Sequence, residues 1–189
     1  MSGHLDYEIN KELGECYLFM GDLDKAEEYY RKAMGSNGIH PDPFLGLATI
    51  AVHRGALNEA LDFYRKAASL EADSKSLSGM ALMEMELGRQ DEAFDHFIQA
   101  LDKNPENMVA IFSLIRLGHA MERLAEVVPH LENYLAIDPM KHEIRYALAG
   151  CLVGVGKEAE AKVQLERILE NDPANTCAVE LKEHLEKAA

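Results

Sequence analysis

Positive charge is in short supply here: 19 Lys and Arg stand against 33 Asp and Glu, and the 189 residues carry a formal net charge of −14. Such a chain repels the phosphates of nucleic acid, so no nucleic-acid partner is expected. An acidic surface is ordinary for a soluble helical protein, and it also suits a basic partner. Cysteine is scarce. Cys16, Cys151 and Cys177 lie far apart with no CxxC spacing, which fits a reduced, cytoplasmic setting. Runs of β-branched residues and strict alternation are both missing, which leaves an all-α reading. No apolar run approaches the roughly 20 residues of a membrane span. The start carries Asp6, Glu8, Glu12 and Glu15 in place of a basic segment and an apolar core, unlike a secretory signal. The opening Met1-Ser2-Gly3-His4 reads as a cloning scar, so residues 1–6 are set apart and the chain is open to being a piece of something larger.

Catalytic signatures are missing too. Gly150, Gly154 and Gly156 interrupt a helix-rich segment with no strand before them, so they do not form a phosphate-binding loop. His119 with Glu122, and Glu126 with His130, have helical spacing, but neither pair forms an HExxH and no third ligand is arranged beside them. Surface polar pairs explain them better than a metal site. No Cys or Ser sits in an activating context. No enzyme activity, metal or cofactor is expected.

Punctuation is what the chain has in abundance. Asn104-Pro105, Asp138-Pro139 and Asp172-Pro173 recur at a fixed interval of about 34 residues. Proline lacks an amide proton and biases the residue before it away from helical geometry, so each dipeptide ends a helix. The Asp or Asn of each dipeptide is also placed to cap the next helix. Two amphipathic patterns lie between successive marks, which predicts a helical hairpin per period.

The first hairpin begins near Tyr7 and carries Leu13, Gly14 and Tyr17, with a break at Gly21. Its second helix starts around Asp24, read as the cap, and carries Ala26, Tyr30 and Ala33 before Gly35 and Gly38 stop it. The second hairpin repeats this with Leu47, Ala48, Gly55, Asn58 as cap, Ala60, Tyr64 and Ala67. The third has Met80, Ala81, Gly88, Asp91 as cap, Ala93, Phe97, Ala100 and Pro105. The fifth has Leu148, Ala149, Gly156, Ala161, Leu165 and Pro173.

With small residues at two helix contacts, Gly at the turn, an aromatic in the second helix and Pro at the end, the chain resembles the tetratricopeptide repeat family. The resemblance covers Tyr7 to Asn175. It implies an all-α, right-handed α-solenoid of about five helix-turn-helix repeats, here 7–40, 41–73, 74–107, 108–141 and 142–175. The segment 176–189 follows as a capping helix, with Ala178, Leu181 and Leu185 on one stripe.

The fourth hairpin departs from the pattern. Ile115, Val127 and Tyr134 fill the small slots, Glu122 replaces the turn glycine, and Pro129 lies about one turn into the second helix. Bulk at those slots predicts helices pushed apart or rotated. Both a diverged repeat that keeps the fold and a hinge or specialised contact fit.

The resemblance further implies that first helices line a groove receiving a peptide or helix. By register the groove positions include Leu18, Leu45, Thr49, Val52, Leu82, Met85, Phe112, Arg116, His119 and Tyr146, with Glu15 as a negative spot. The clamp that some members use for a terminal carboxylate is not matched. Lys11 fits its first position, whereas Glu15, Thr49, Ser78 and Leu82 replace the others. The asparagine ladder of arrays attached to sugar-transferring enzymes is replaced by Glu12, Gly46, Gly79, Ser113 and Ala147. What remains is an apolar floor suited to an apolar helix or strand, although some of these residues also serve to pack neighbouring helices. Three functions fit: an adaptor capturing an apolar peptide or helix, a self-assembling homo-oligomeric scaffold, or a domain of a larger enzyme or regulator such as a glycosyltransferase.

Overall fold

The computed structural model describes residues 2–36 and 39–187, with side chains from residue 4 onward. Met1, the stop assigned to Gly38 and the last two residues of the capping segment lie outside the described residues. Among the described residues there are eleven α-helices and no strand. They fall into two compact units, 1–103 and 104–189. The first holds α1 (Ser2–Phe19), α2 (Leu23–Ser36), α3 (Asp42–His53), α4 (Leu57–Leu70), α5 (Ser74–Glu86) and α6 (Gln90–Lys103). The second holds α7 (Met108–Ala120), α8 (Leu124–Ile137), α9 (His142–Gly154), α10 (Glu158–Asn171) and α11 (Thr176–Lys187). Within each unit, every helix packs on the next in the chain. α1 starts at Ser2, so residues 2–6 are continuous with the first repeat helix rather than a separate extension.

Every hairpin turns through one left-handed residue. Gly21, Gly55, Gly88 and Gly156 have φ of 79°, 72°, 78° and 76°, and Glu122 takes the same place at 58°. This conformation lets the next amide reach back to a carbonyl one turn inside the first helix. Asp22 N donates to Tyr17 O at 3.0 Å, and Arg89 N to Glu84 O at 2.8 Å. The fourth hairpin closes identically, with Arg123 N donating to Gly118 O at 2.8 Å. The helices before Asn104, Asp138 and Asp172 end at Lys103, Ile137 and Asn171, as the proline argument predicts.

The caps differ from expectation. Asp22, not Asp24, accepts the Lys25 amide at 3.2 Å, and Asp24, Asn58 and Asp91 lie inside the first turns of α2, α4 and α6. The turn residue and the single residue after it consume less chain than the sequence suggests, so the helices begin earlier. Asn104 and Asp138 do not cap the following helices either. Their side chains accept from Glu106 N and Met140 N, each at 3.1 Å, folding a tight turn. Asn107, three residues after Asn104, caps α7, and Asn175, three residues after Asp172, caps α11. Gly35 lies within α2, which continues to Ser36, because without a neighbour one glycine costs a helix end little.

Small residues mark where helices touch. Ala26, Ala48, Ala60, Ala81, Ala93, Ala149 and Ala161 are all fully buried. Tyr30 lies against Gly14 and Gly46, and Tyr64 against Gly79, so closely that a Cβ at any of these glycines would overlap the ring. In the fourth hairpin Ile115 is half-buried, and the close approach moves one turn along to Gly118, where a Cβ would lie 2.5 Å from Val127 Cγ2. α7 and α8 approach each other over fewer residues than any other hairpin pair, as their bulk predicts. α8 runs through Pro129. Glu84 on α5 is a buried charge that the sequence did not signal: it is 1% exposed and sits 2.6 Å from His96 Nδ1 on α6 and 3.6 Å from Arg65 Nη2 on α4. It ties three successive helices together.

Candidate functional site

In the first unit, the spacing of α3 places Asp42, Leu45, Gly46 and Thr49 on one face, since residues three, four and seven apart share a helix side. Together with Glu15 and Leu18 of α1 and Lys75 of α5 they line a pocket of about 330 Å³. Tyr30 of α2 and Tyr64 of α4 complete its wall, which is why Gly46 must lack a side chain.

The pocket is less apolar than the sequence suggests. Thr49 donates its hydroxyl to Leu45 O at 3.0 Å. Burial, followed by the charges of Glu15, Asp42 and Cys16, pushes the Tyr30 phenol up to about 12. Burial also raises that of Tyr64, against a hydrogen bond with Thr49. Both phenols therefore stay protonated at neutral pH. Glu15, Asp42 and Lys75 are exposed. The site thus offers one aliphatic wall, from Leu18 and Leu45, and a polar edge with two carboxylates and one ammonium. Such a lining can hold an apolar side chain beside a hydrogen-bonding or cationic group.

Three groove residues expected from the sequence, Leu18, Leu45 and Thr49, meet in this pocket together with Glu15. Val52 is exposed one turn farther along α3, and Leu82 and Met85 are half-buried on α5. In the second unit, Phe112, Arg116 and His119 are exposed at helical spacing along α7, and Tyr146 is exposed on α9. A Cβ at Gly150, one turn beyond Tyr146, would meet open space. The sequence reading missed Asp42 and Lys75, whose isolated charges carry no signal. It placed Tyr30 and Tyr64 in the core although their rings also form the wall. Among the described residues no group of three His, Cys, Asp or Glu is placed to hold a metal ion, and no helix is long and apolar enough to cross a membrane.

Two family models, both described as tetratricopeptide repeat, match residues 8–40 and 119–185. The chain belongs to the tetratricopeptide repeat family. Members of this family generally mediate protein–protein interaction. Over 109 residues the chain is 30% identical to the BBSome complex member BBS4 of Bos taurus, a match spanning 57% of this chain and 21% of that protein. It thus spans about a fifth of that curated relative. Among solved structures it resembles the pilF protein of Pseudomonas aeruginosa, with a TM-score of 0.71 and 19% identity over 100% of this chain and 86% of that one. It also resembles YrrB, described as a TPR protein with an unusual peptide-binding site. There the TM-score is 0.67 and the identity 16%, over 92% of this chain and 90% of that one. At these identities the two structures attest the fold.

Proposed function

We propose that this protein is a non-catalytic adaptor whose first unit seats an apolar segment of a protein partner in the pocket among α1, α3 and α5. The observation that carries the reading is the convergence of Leu18, Leu45 and Thr49 on one cavity, with the Tyr30 and Tyr64 rings behind it. Its 330 Å³ is enough for one large side chain. The peptide-binding site ascribed to YrrB supports a peptide as occupant. The carboxylates of Glu15 and Asp42, within a chain of net charge −14, favour a partner with a basic residue beside its apolar one. Val52, Leu82 and Met85 extend the contact in the first unit, and Phe112, Arg116, His119 and Tyr146 give the second unit its own contact face. The three free cysteines support a cytoplasmic setting as part of this reading.

The test is co-purification from the source organism, comparing wild type with Leu45→Glu and with a Phe112→Glu, Tyr146→Glu double variant. Leu45 is half-buried and Phe112 and Tyr146 are exposed, so all three baits should keep their helical circular dichroism. A protein retained by wild type and lost by Leu45→Glu supports the pocket. Equal recovery on all three baits rejects the groove. A second reading, self-assembly, is favoured by Leu5 and Ile9, one turn apart on α1 and 61% and 48% exposed. A mass independent of concentration would remove it.

A further inference from the structure

The repeat register exposes an anomaly in the second unit. Phe44, Leu77 and Ile111 occupy the same place in the second, third and fourth repeats, and all are buried. In the fifth repeat that place is Arg145, itself only 7% exposed. A position built to bury hydrocarbon there holds a guanidinium. Burying a charge without a counter-charge is costly, and among the described residues no carboxylate pairs with it. Nη1 donates to Gln164 Oε1 at 2.8 Å and Nη2 to Pro139 O at 2.6 Å, which engages two of five N–H groups.

Arg145 does not lie in sealed core. It lines an open pocket of about 280 Å³ together with Arg167 and Gln164 of α10 and Glu132, Leu135 and Ala136 of α8, with Pro139 and Leu148 beside them. The second guanidinium makes the charge problem worse. Burial, and then the positive charge of Arg167, lower the proton affinity of Arg145. Glu132 lines the same pocket, yet it is exposed and forms no ion pair with either arginine. Two like charges, one of them desolvated, share a cavity with aliphatic walls.

We infer that this pocket is a carboxylate-binding site, in which Arg145 and Arg167 receive the anionic group and Leu135 and Leu148 receive the hydrocarbon attached to it. Planar guanidinium donors suit bidentate recognition of a carboxylate. A monoanion fits better than a phosphate dianion, because Glu132 stands at the rim and the whole chain is strongly acidic. These residues lie on α8, α9 and α10, away from the register positions that a terminal-carboxylate clamp uses, and the inference does not rest on the pocket of the first unit. The carboxylate comes either from a chain terminus or from an acidic side chain, and the two are separable.

The experiment is an NMR titration of the full-length protein labelled with ¹⁵N, following the Arg145 Nε–H signal and the Gln164 side-chain amide. The probes are N-acetyl-leucine, N-acetyl-leucinamide, the α-amide of N-acetyl-glutamate, and inorganic phosphate. Saturable shifts with N-acetyl-leucine identify a terminal carboxylate, and saturable shifts with the glutamate derivative identify a side chain. The leucinamide should leave both signals unmoved. Arg145→Leu supplies an apolar residue like those that the second, third and fourth repeats carry in this column, so it should melt at or above the wild-type temperature while its Gln164 amide no longer responds to either acid. Should Arg145→Leu fail to fold, Arg167→Gln takes its place, with at least a tenfold weaker response expected. No saturable shift into the tens of millimolar, an equal response to the leucinamide, a response undiminished in the variant, or a stronger response to phosphate would each overturn the assignment.

Discussion

The third and fourth hairpins solve one problem in two ways. α5 and α6 meet at Ala81 and Ala93, both fully buried, and α5 also takes the Tyr64 ring into the space that Gly79 leaves. α7 and α8 put Ile115 and Val127 at the slots of those alanines, and their closest approach moves to Gly118. Even so, the two turns have the same backbone: Gly88 at φ 78° and Glu122 at 58°, each followed by the same return hydrogen bond. The repeat frame therefore depends on segment length and turn geometry more than on any single small residue. Slot residues set how closely a hairpin packs, and the turn sets that it is a hairpin at all.

The largest effect should come from exchanging the slots. Ala81→Ile forces a branched side chain into a contact with no free volume and should cost about 1–3 kcal/mol. Ile115→Ala, at the matching place, should also destabilise, by about 1–2 kcal/mol, because a half-buried side chain leaves a space that bulky neighbours cannot fill. Urea midpoints, with hydrogen exchange read hairpin by hairpin, would check both. A stabilising Ile115→Ala would mean that the fourth hairpin is an ordinary one held open, and the contrast would fail.

The turn gives a smaller effect whose sign differs between the two hairpins. Left-handed backbone costs a residue with a Cβ about 1–2 kcal/mol, partly offset by the entropy that glycine loses on folding. Glu122→Gly should therefore stabilise the second unit by about 1 kcal/mol, and Gly88→Ala should destabilise the first by a similar amount. A thermal melt of each variant decides it. If Glu122→Gly is silent or harmful, the glutamate side chain makes up for its own strain.

How much of this was legible beforehand depends on which physics repeats. Helix lengths and turn positions follow from a period, so Gly21, Gly55, Gly88 and Gly156 marked the turns and Glu122 the exception, while their left-handed φ came from the structure. Caps depend on one or two residues of loop, which is why Asp22 and Asn107 act where Asp24 and Asn104 were expected. Leu18, Leu45 and Thr49 were readable because the register puts them on first helices. Asp42 and Lys75 were not, since a single surface charge has no pattern. Glu84 and Arg145 were hidden for the opposite reason. A charged letter suggests solvent, and only the burial of its place in the repeat reveals otherwise.

The smallest effect distinguishes the same regions by their ion pairs. Arg54, just past α3, reaches back to α2, with Nη1 2.5 Å from Glu27 Oε2 and Nη2 2.7 Å from Asp24 Oδ1. Arg123 pairs with Glu126 only three residues away, at 2.7 Å. The first contact joins two hairpins, whereas the second stays inside one. Arg54→Ala should lower the urea midpoint slightly, and Arg123→Ala should lower it less. The hydrogen bond from Arg54, then that from Arg31, holds the Glu27 carboxyl below its ordinary value. The unfolded chain therefore takes up the proton first as the solution is acidified. This contribution is complete above the ordinary glutamate value and disappears as pH falls through the depressed one. The stability gap between wild type and Arg54→Ala should accordingly be present at pH 7, shrink in 1 M salt and narrow below about pH 4. A gap that survives both conditions would show that Arg54 acts through the packing of its hydrocarbon stem, and the contrast between a bridging and a local arginine would then be one of shape rather than charge.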